Sequence, residues 1–265
     1  MELTKEELDI GLVVADAAAQ RKFYGTTLGL EAAETAELPG GMRQYRYKAG
    51  NHLIKLLELP KTPTVSKGGI DRAIGIRILA LFFRKADFDA MLARMTDEGR
   101  RFAPPSEFAP GIQISFARDG DGNMLELIGV DQPDDKPLNE HLQIGLTVAD
   151  LAQTKAFYGD KLGFAAQPTM PMPTGDGTVR HAFKCPKTIV KYWHLPQSLP
   201  VETGPVTAQA GFRYFTFAVK DVDAVHQALT EKGVEIASPP RDIGVAKVMF
   251  AADPDGNWIE FAQRK

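Results

Sequence analysis

The second half of the chain carries several residue types that could do chemistry. Arg180 supplies a cation and its neighbour His181 an imidazole. A second cation, Lys191, is followed by two aromatic residues. Cations bind anionic oxygens, and imidazole transfers protons near neutral pH. Aromatic rings such as those of Tyr192 and Trp193 line small-molecule pockets. The mixture predicts a site for a small molecule, with Arg180, Tyr192 and Trp193 as substrate-binding residues.

Two glutamates add acid or base groups near the end of each half of the chain. Glu126 lies between Leu125 and Leu127, and Glu260 lies between two apolar residues in the same way. Side chains alternate between the two faces of a strand, so each glutamate faces away from its apolar neighbours. Each is either a solvent-facing hairpin carboxylate or an interior group that needs a partner.

Composition excludes several function classes. The chain has 265 residues, 44% hydrophobic and 25% charged, with a net charge of −3. The sequence has no stripe of basic residues of the kind that binds nucleic acid. No apolar run approaches the roughly 20 residues of a membrane-spanning helix. A single cysteine, Cys185, and no signal-peptide pattern predict a cytoplasmic protein, either a monomer or a homodimer, with a small-molecule partner.

An internal repeat divides the chain into two copies. Residues 9–30 return as residues 143–164 and residues 116–127 return as residues 250–261, at the same offset. We therefore predict a first domain at 6–130, a linker rich in proline and acidic residues at 131–138, and a second domain at 139–263.

Each copy is predicted to contain two strand-helix-strands units. Alternating apolar residues predict a strand from Ile10, Asp16 is placed as a helix N-cap, and Gly29 is placed to end that helix. Gly50-Asn51 predicts a hairpin turn, where His52 would be solvated. Second helices are predicted at 87–99 and 221–233, followed by closing turns at 121–123 and 253–257.

These motifs, in this order and twice, resemble the vicinal oxygen chelate superfamily of glyoxalases, ring-cleavage dioxygenases and bleomycin-resistance proteins. The motifs are an IGLxVxD strand, an FYxxxLG helix, a helix beginning DxDA and a DGNxxE strand. The resemblance covers almost the whole chain. It implies an α+β fold of four βαβββ modules, which form two half-open barrel-like paired-module domains around a pocket.

The resemblance also implies four metal-ligand positions in each copy. In the first copy they hold Asp9, Lys55, Ile78 or Ala80, and Glu126; in the second they hold Gln143, Lys191, Tyr214 and Glu260. Zinc, iron and manganese sites need at least three nitrogen or oxygen ligands. We expect no metal in the first copy. Gln143, Tyr214 and Glu260 are weak candidate ligands for iron, manganese or zinc in the second.

The two lysines are predicted to replace the lost ions. Lys55 is predicted to lie within salt-bridge reach of Glu126, and Lys191 of Glu260, so that each lysine neutralises a buried carboxylate. Two other interpretations stay open. The lysines could be edge-strand charges that prevent sheet pairing, and Tyr214 could be a core aromatic residue.

The leading functional hypothesis is a glyoxalase-like or dioxygenase-like enzyme for a small oxygenated or aromatic metabolite, with its site in the second copy. The predicted catalytic residues are Glu260, Tyr214, His181 and Lys191, with His194 as a further proton-transfer candidate. Gln143 joins the substrate-binding residues named above, and Arg43, Tyr45 and Lys55 would line a second pocket. The alternative is a non-catalytic binder that resembles bleomycin-resistance proteins.

Overall fold

The computed structural model of the protein describes residues 1–66, 68–133, 135–172 and 176–265. Asp134, within the predicted linker, lies outside the described residues. None of the helices in these ranges is long and apolar enough to cross a membrane. The predicted domain boundaries at 6–130 and 139–263 stay a prediction.

The first module follows the predicted order. Strand β1 (Asp9–Val14) leads into α1 (Ala17–Arg21), which continues as a π-helical segment, Lys22–Thr27. Strands β2 (Ala32–Leu38), β3 (Met42–Ala49) and β4 (His52–Glu58) complete it. The Asp16 side chain caps α1 by accepting from the Ala19 N–H at 2.9 Å. Gly29 ends the helical segment with a φ of 76°, and Gly50 forms the predicted hairpin turn with a φ of 56°.

The other three modules repeat this plan. Module 2 contains β5 (Gly75–Arg84), α2 (Lys85–Asp97), β6 (Ser106–Ala109), β7 (Ile112–Arg118) and β8 (Met124–Val130). Module 3 contains β9 (Leu142–Thr147), α3 (Leu151–Lys155) with a π-helical segment (Ala156–Lys161), β10 (Ala165–Ala166), β11 (Met170–Pro171), β12 (Val179–Cys185) and β13 (Thr188–Trp193). A short 3₁₀ helix (Val206–Ala208) precedes module 4, which contains β14 (Gly211–Ala218), α4 (Val222–Glu231), β15 (Glu235–Asp242), β16 (Ala246–Ala252) and β17 (Trp258–Arg264).

The four modules form two sheets, and each sheet combines both copies of the repeat. Sheet A has the order β15-β16-β17-β14-β1-β4-β3-β2, so module 1 pairs with module 4. Sheet B has the order β10-β12-β13-β9-β5-β8-β7-β6, with β11 also on β12, so module 2 pairs with module 3. We expected the two modules of one copy to share a sheet, and that expectation was wrong. Because the copies carry equivalent first strands, either pairing satisfies the same strand pattern.

Contacts on the helix side of the sheets tie the two modules of one copy together. Tyr24, on the helix of module 1, donates to Asp119 in the closing turn of module 2 at 3.1 Å. The second copy repeats the bond, from Tyr158 to Asp253, at 2.8 Å. All four side chains are buried. The FY and DGN motifs therefore hold each copy together, while strand pairing joins one copy to the other.

Each sheet has one face against the helices and one concave face. Ile10, Leu12 and Val14 belong to the large apolar core on the helix side. Since side chains alternate along a strand, Asp9 and Gly11 face the other way. We call the concave face of sheet A cup A, with Asp9, Lys55, Tyr214, Thr216 and Glu260 at its centre. Cup B is the concave face of sheet B, with Gln143, Lys191, Ile78, Ala80 and Glu126 at the equivalent positions.

Candidate functional site

A lysine lies at the centre of cup A and donates to two of its neighbours. Lys55 Nζ donates to Thr216 Oγ1 at 2.8 Å and to Glu260 Oε2 at 3.0 Å. Thr216 Oγ1 in turn donates to the same glutamate oxygen at 2.6 Å. Asp9 Oδ2 lies 3.8 Å from the ammonium. Because all four side chains are buried, their charges are compensated inside the protein rather than by water.

Tyr214 lies across β1 beside this lysine. Its ring contacts Gly11, where an added Cβ would lie 2.1 Å from Tyr214 Cζ, so the glycine of the IGL motif makes room for the ring. Gln44 Nε2 donates to the tyrosine hydroxyl at 3.2 Å. Burial, followed by the negative charge of Glu260, raises the pKa of Tyr214 well above its ordinary value. The phenol is therefore neutral at physiological pH and cannot act as a general base.

Cup B has the same plan with fewer polar partners. Lys191 Nζ donates to Glu126 Oε2. Ala80 lies in register with both Gln143 and Glu126, at the position that Thr216 occupies in cup A. Gln143 turns its amide to Glu140. Among the described residues, Glu126 is the only acceptor within hydrogen-bonding distance of Lys191. Two of the three N–H donors of its ammonium are therefore open to a ligand oxygen.

The two cups also differ in how far one aromatic side chain beside the glutamate is covered. Phe250 and Phe116 hold equivalent positions, each in register with the central glutamate of its cup. Phe250 is 6% exposed and Phe116 is 38% exposed. Val206 and Ile243 pack against the cup A cluster that contains Tyr214 and Phe250, and Ile70 and Leu199 pack in the same way against the cup B cluster that contains Trp193. The two lysines are about equally buried, so the cups differ in the cover over one aromatic ring and not in the burial of the lysine.

The predicted ion pairs form, but with exchanged partners. We expected Lys55 to pair with Glu126 and Lys191 with Glu260; each lysine instead pairs with the glutamate of the other copy. The cause is the strand pairing of module 1 with module 4 and of module 2 with module 3. The predicted catalytic set is divided for the same reason, since Glu260 and Tyr214 lie in cup A and Lys191 lies in cup B.

The residues at the inherited positions do not fit a divalent metal. The candidate set of Gln143, Tyr214 and Glu260 is not brought together, because Gln143 lies in sheet B and the other two lie in sheet A. Cup A offers two carboxylates, Asp9 and Glu260, but a lysine ammonium occupies the space between them. Within the described part of the chain, no three His, Cys, Asp or Glu side chains cluster as a metal site would require.

Four predicted site residues face away from the cups. His181 and Tyr192 stack on each other, with ring centroids 5.3 Å apart, and Tyr192 belongs to the helix-side core. Tyr45 packs against that core, and Arg43 forms an exposed ion pair with Glu37. Strand alternation is the reason, since each of the four is an odd number of residues from a cup-facing position. Burial, followed by the charge of Lys155, lowers the pKa of His181.

The other two predicted pocket residues lie on the concave side of sheet B. Trp193 Nε1 donates to Thr147 Oγ1 at 3.0 Å, and the ring packs beside Ile78 and Gly145. Arg180 Nη2 donates to Met170 Sδ at 2.7 Å. His194, the further candidate, is exposed, with Nδ1 3.1 Å from the Val148 carbonyl oxygen.

Sequence reasoning missed Gln44, Arg46 and Thr216 in cup A. The signal for Arg46 was present, because the Gly50-Asn51 turn places it directly opposite Lys55. Gln44 shares its face through the two-residue period of the strand, and Thr216 shares the face of Tyr214. The strand pairing set by the Gly50-Asn51 turn therefore predicts Gln44 and Arg46, in place of Arg43 and Tyr45, as the pocket-facing residues of β3.

A sequence model of one family matches both copies. The Glyoxalase/Bleomycin resistance protein/Dioxygenase superfamily model covers residues 8–127 and again residues 140–261. The chain belongs to this superfamily. Members commonly bind divalent metals and small-molecule ligands. No curated protein was found to match the sequence.

Solved structures of this superfamily share the fold across nearly the whole chain. Glyoxalase I from Zea mays is 19% identical, with a TM-score of 0.73 over 96% of this chain and 91% of that chain. A Bacillus subtilis protein described as a dioxygenase is 13% identical, with a TM-score of 0.67 over 100% of this chain and 85% of that chain. At these identities the likeness shows the two-sheet fold and does not identify a reaction.

Proposed function

We propose that this superfamily member is an enzyme that acts on a small oxygenated or aromatic metabolite in cup B, with the Lys191 ammonium as the fixed positive charge of the site. The observation that carries the proposal is the Lys191–Glu126 pair, in which the lysine has one partner among the described residues and two donors left for a ligand. The single cysteine, Cys185, is buried and unpaired, which supports a reducing, cytoplasmic setting.

The pair can support proton transfer beside a carbonyl group. Glu126 would take the proton from the carbon next to the carbonyl, and the electrons of the broken C–H bond would form the C=C bond of an enolate. The carbonyl oxygen then carries the negative charge and lies against the Lys191 ammonium, which stabilises it. Return of the proton to the same carbon re-forms the carbonyl group and regenerates the Glu126 carboxylate. The cycle needs no oxidant or reductant.

The lining of cup B favours a substrate with an apolar or aromatic part. Phe116 lies opposite Glu126 on β7, Met124 lies two residues before Glu126 on β8, and Trp193 lies two residues from Lys191 on the same face. These side chains surround one charged pair, which is the pattern of small-molecule pockets in which few polar groups fix the orientation. In cup A the equivalent lysine makes two hydrogen bonds and keeps one donor.

Ligand sequestration without turnover is the alternative, and one observation favours it. Glu126 already accepts from Lys191, so one of its carboxylate oxygens is occupied by the ammonium and does not face a substrate proton. Under this alternative, cup B would bind the same class of molecule and release it unchanged.

Hydrogen–deuterium exchange distinguishes the two functions. Hydroxyacetone serves as a small carbonyl probe and catechol as an aromatic one, with binding followed by thermal shift and exchange in D₂O followed by NMR. The enzyme predicts catalysed exchange at the carbon beside the carbonyl of hydroxyacetone, abolished in Glu126→Gln and unchanged in the matched cup A variant Glu260→Gln. Binding without exchange would favour sequestration. Exchange that survives Glu126→Gln would overturn the assignment of the base.

A further inference from the structure

Cup A carries a group of cations at its rim that the Lys55–Glu260 pair does not use. Arg46 lies directly opposite Lys55 in the β3–β4 register. Arg264 lies at the end of β17, four residues beyond Glu260 and on the same face. Its Nη2 atom is 3.9 Å from Asp9 Oδ2. Two guanidinium groups therefore flank one end of the cup.

The carboxylates nearby are too few for these cations. Asp9 accepts from Lys5 and from the Leu53 N–H, and it also lies near Lys55 and Arg264. Glu260 is committed to Lys55 and Thr216. Four cations, Lys5, Arg46, Lys55 and Arg264, thus share two buried carboxylates. Glu34, which is exposed on β2, is the one further acid that acts on Arg46.

Arg46 has a fixed position and no carboxylate partner among the described residues. Its Nε atom donates to Gln44 Oε1 at 2.8 Å, which orients the guanidinium group. No carboxylate oxygen in the described ranges lies within 4.0 Å of it. Burial, followed by the positive charge of Arg264, lowers the pKa of Arg46, and the charges of Asp9 and Glu34 offset this only in part.

The equivalent positions of cup B show that this arrangement is not a requirement of the fold. Ala182 lies opposite Lys191 where Arg46 lies opposite Lys55. Val130 lies four residues beyond Glu126 where Arg264 lies four residues beyond Glu260. One fold with the same lysine–glutamate centre therefore has arginines at these two positions in cup A and apolar residues at the equivalent positions in cup B.

We propose that the rim of cup A binds the carboxylate or phosphate group of a small metabolite between Arg46 and Arg264. Guanidinium groups present planar pairs of N–H donors that match carboxylate and phosphate oxygens. Arg264 is 61% exposed and Arg46 is half-buried, so an anion can reach both from solvent. A surface cavity of about 900 Å³, lined in part by Lys5 and Arg264, adjoins the cluster and can hold the rest of the ligand. The site is separate from the one proposed in cup B.

Anion titrations of the full chain test this site. Sodium phosphate and sodium succinate are titrated at constant ionic strength, balanced with sodium chloride, and the melting temperature and binding heat are recorded. We expect a saturable rise in melting temperature with at least one anion, and the anion that saturates identifies the group as phosphate or carboxylate. Arg264→Met and Arg46→Met should each weaken the apparent affinity by about tenfold or more.

Two further variants control the experiment. Arg101→Met removes an exposed arginine that follows α2 and should leave the anion response unchanged, and Arg264→Lys should retain part of it. Arg264 is exposed, so its replacement keeps the test valid even if Arg46→Met unfolds the protein. No saturable response to either anion, or an equal response in Arg264→Met, would overturn the proposal.

Discussion

Lys55 Nζ lies 3.0 Å from Glu260 Oε2, although the two residues belong to different copies of the repeat. The Lys191–Glu126 pair crosses between the copies in the opposite direction. Each copy therefore supplies the cation of one cup and the carboxylate of the other. Neither cup can be assembled from one copy alone.

A double-mutant cycle on Lys55 and Glu260 should detect this crossing. Lys55→Met leaves a buried carboxylate unpaired, so we expect a loss of about 3–5 kcal/mol in the free energy of unfolding. The double variant Lys55→Met/Glu260→Gln should cost clearly less than the sum of the single changes. The matched cycle on Lys55 and Glu126, measured by urea denaturation, should be additive within about 0.5 kcal/mol. Strong coupling in the Lys55–Glu126 cycle would contradict the observed sheet pairing.

Gly11→Ala should destabilise the protein through a clash with Tyr214. The added methyl group would overlap the tyrosine ring, and overpacking of this kind costs about 1–3 kcal/mol. In a Tyr214→Ala background the same change should cost much less, because the ring is gone. Urea denaturation of the four proteins checks this. An equal cost in both backgrounds would show that the backbone, and not the ring, requires glycine.

Tyr158→Phe should weaken the tie between modules 3 and 4. The hydroxyl donates to Asp253 in a buried site, so its removal is expected to cost about 1–3 kcal/mol in the free energy of unfolding. Tyr45→Phe is the control, since its hydroxyl donates to Glu58 in a partly exposed site and should cost less. The account would be wrong if the control variant were the less stable of the two.

Asp255 should give the stability a pH dependence. Burial, followed by the charge of Asp253, raises the pKa of Asp255 from 3.8 to about 6. A carboxyl group whose pKa is raised on folding stabilises the folded state below its unfolded pKa, and this contribution is lost as the pH rises through 6. Asp255→Asn should therefore be more stable than the wild type at pH 7.5, by about 1 kcal/mol after solvent screening. The advantage should disappear near pH 4, and an advantage that is constant with pH would refute the assignment.

Local features of the fold could be predicted from the sequence. Asp16 caps its helix, Gly50 and Asn51 turn the hairpin, and the closing turns adopt the positive φ that Gly122 and Gly256 allow. These depend on neighbouring residues. His52, by contrast, is buried with Nδ1 2.6 Å from the Leu8 carbonyl oxygen, although its place beside the turn predicted a solvated side chain. The N-terminal segment covers it, and no local pattern reveals that contact.

The assignment of partners in the cups could not be predicted for a related reason. A lysine and a glutamate at fixed positions of each copy predicted two ion pairs, and two pairs form. Which glutamate meets which lysine depends on the pairing of β1 with β14 and of β5 with β9. Pairing within one copy and pairing between the copies bury the same strand faces, so the alternation of apolar residues does not distinguish the two arrangements. Once that pairing is known, the sequence alone shows that cup A has a threonine, Thr216, where cup B has an alanine, Ala80.

Elemental analysis tests most directly whether lysines have replaced the metal in both cups. The protein is produced in medium that contains iron, manganese, nickel and zinc, dialysed without chelator and measured for metal per chain. We predict well below one equivalent of any transition metal, and no change in melting temperature when these ions are added at equimolar concentration. One tightly bound ion per chain, lost in Glu126→Gln or Glu260→Gln, would contradict the account.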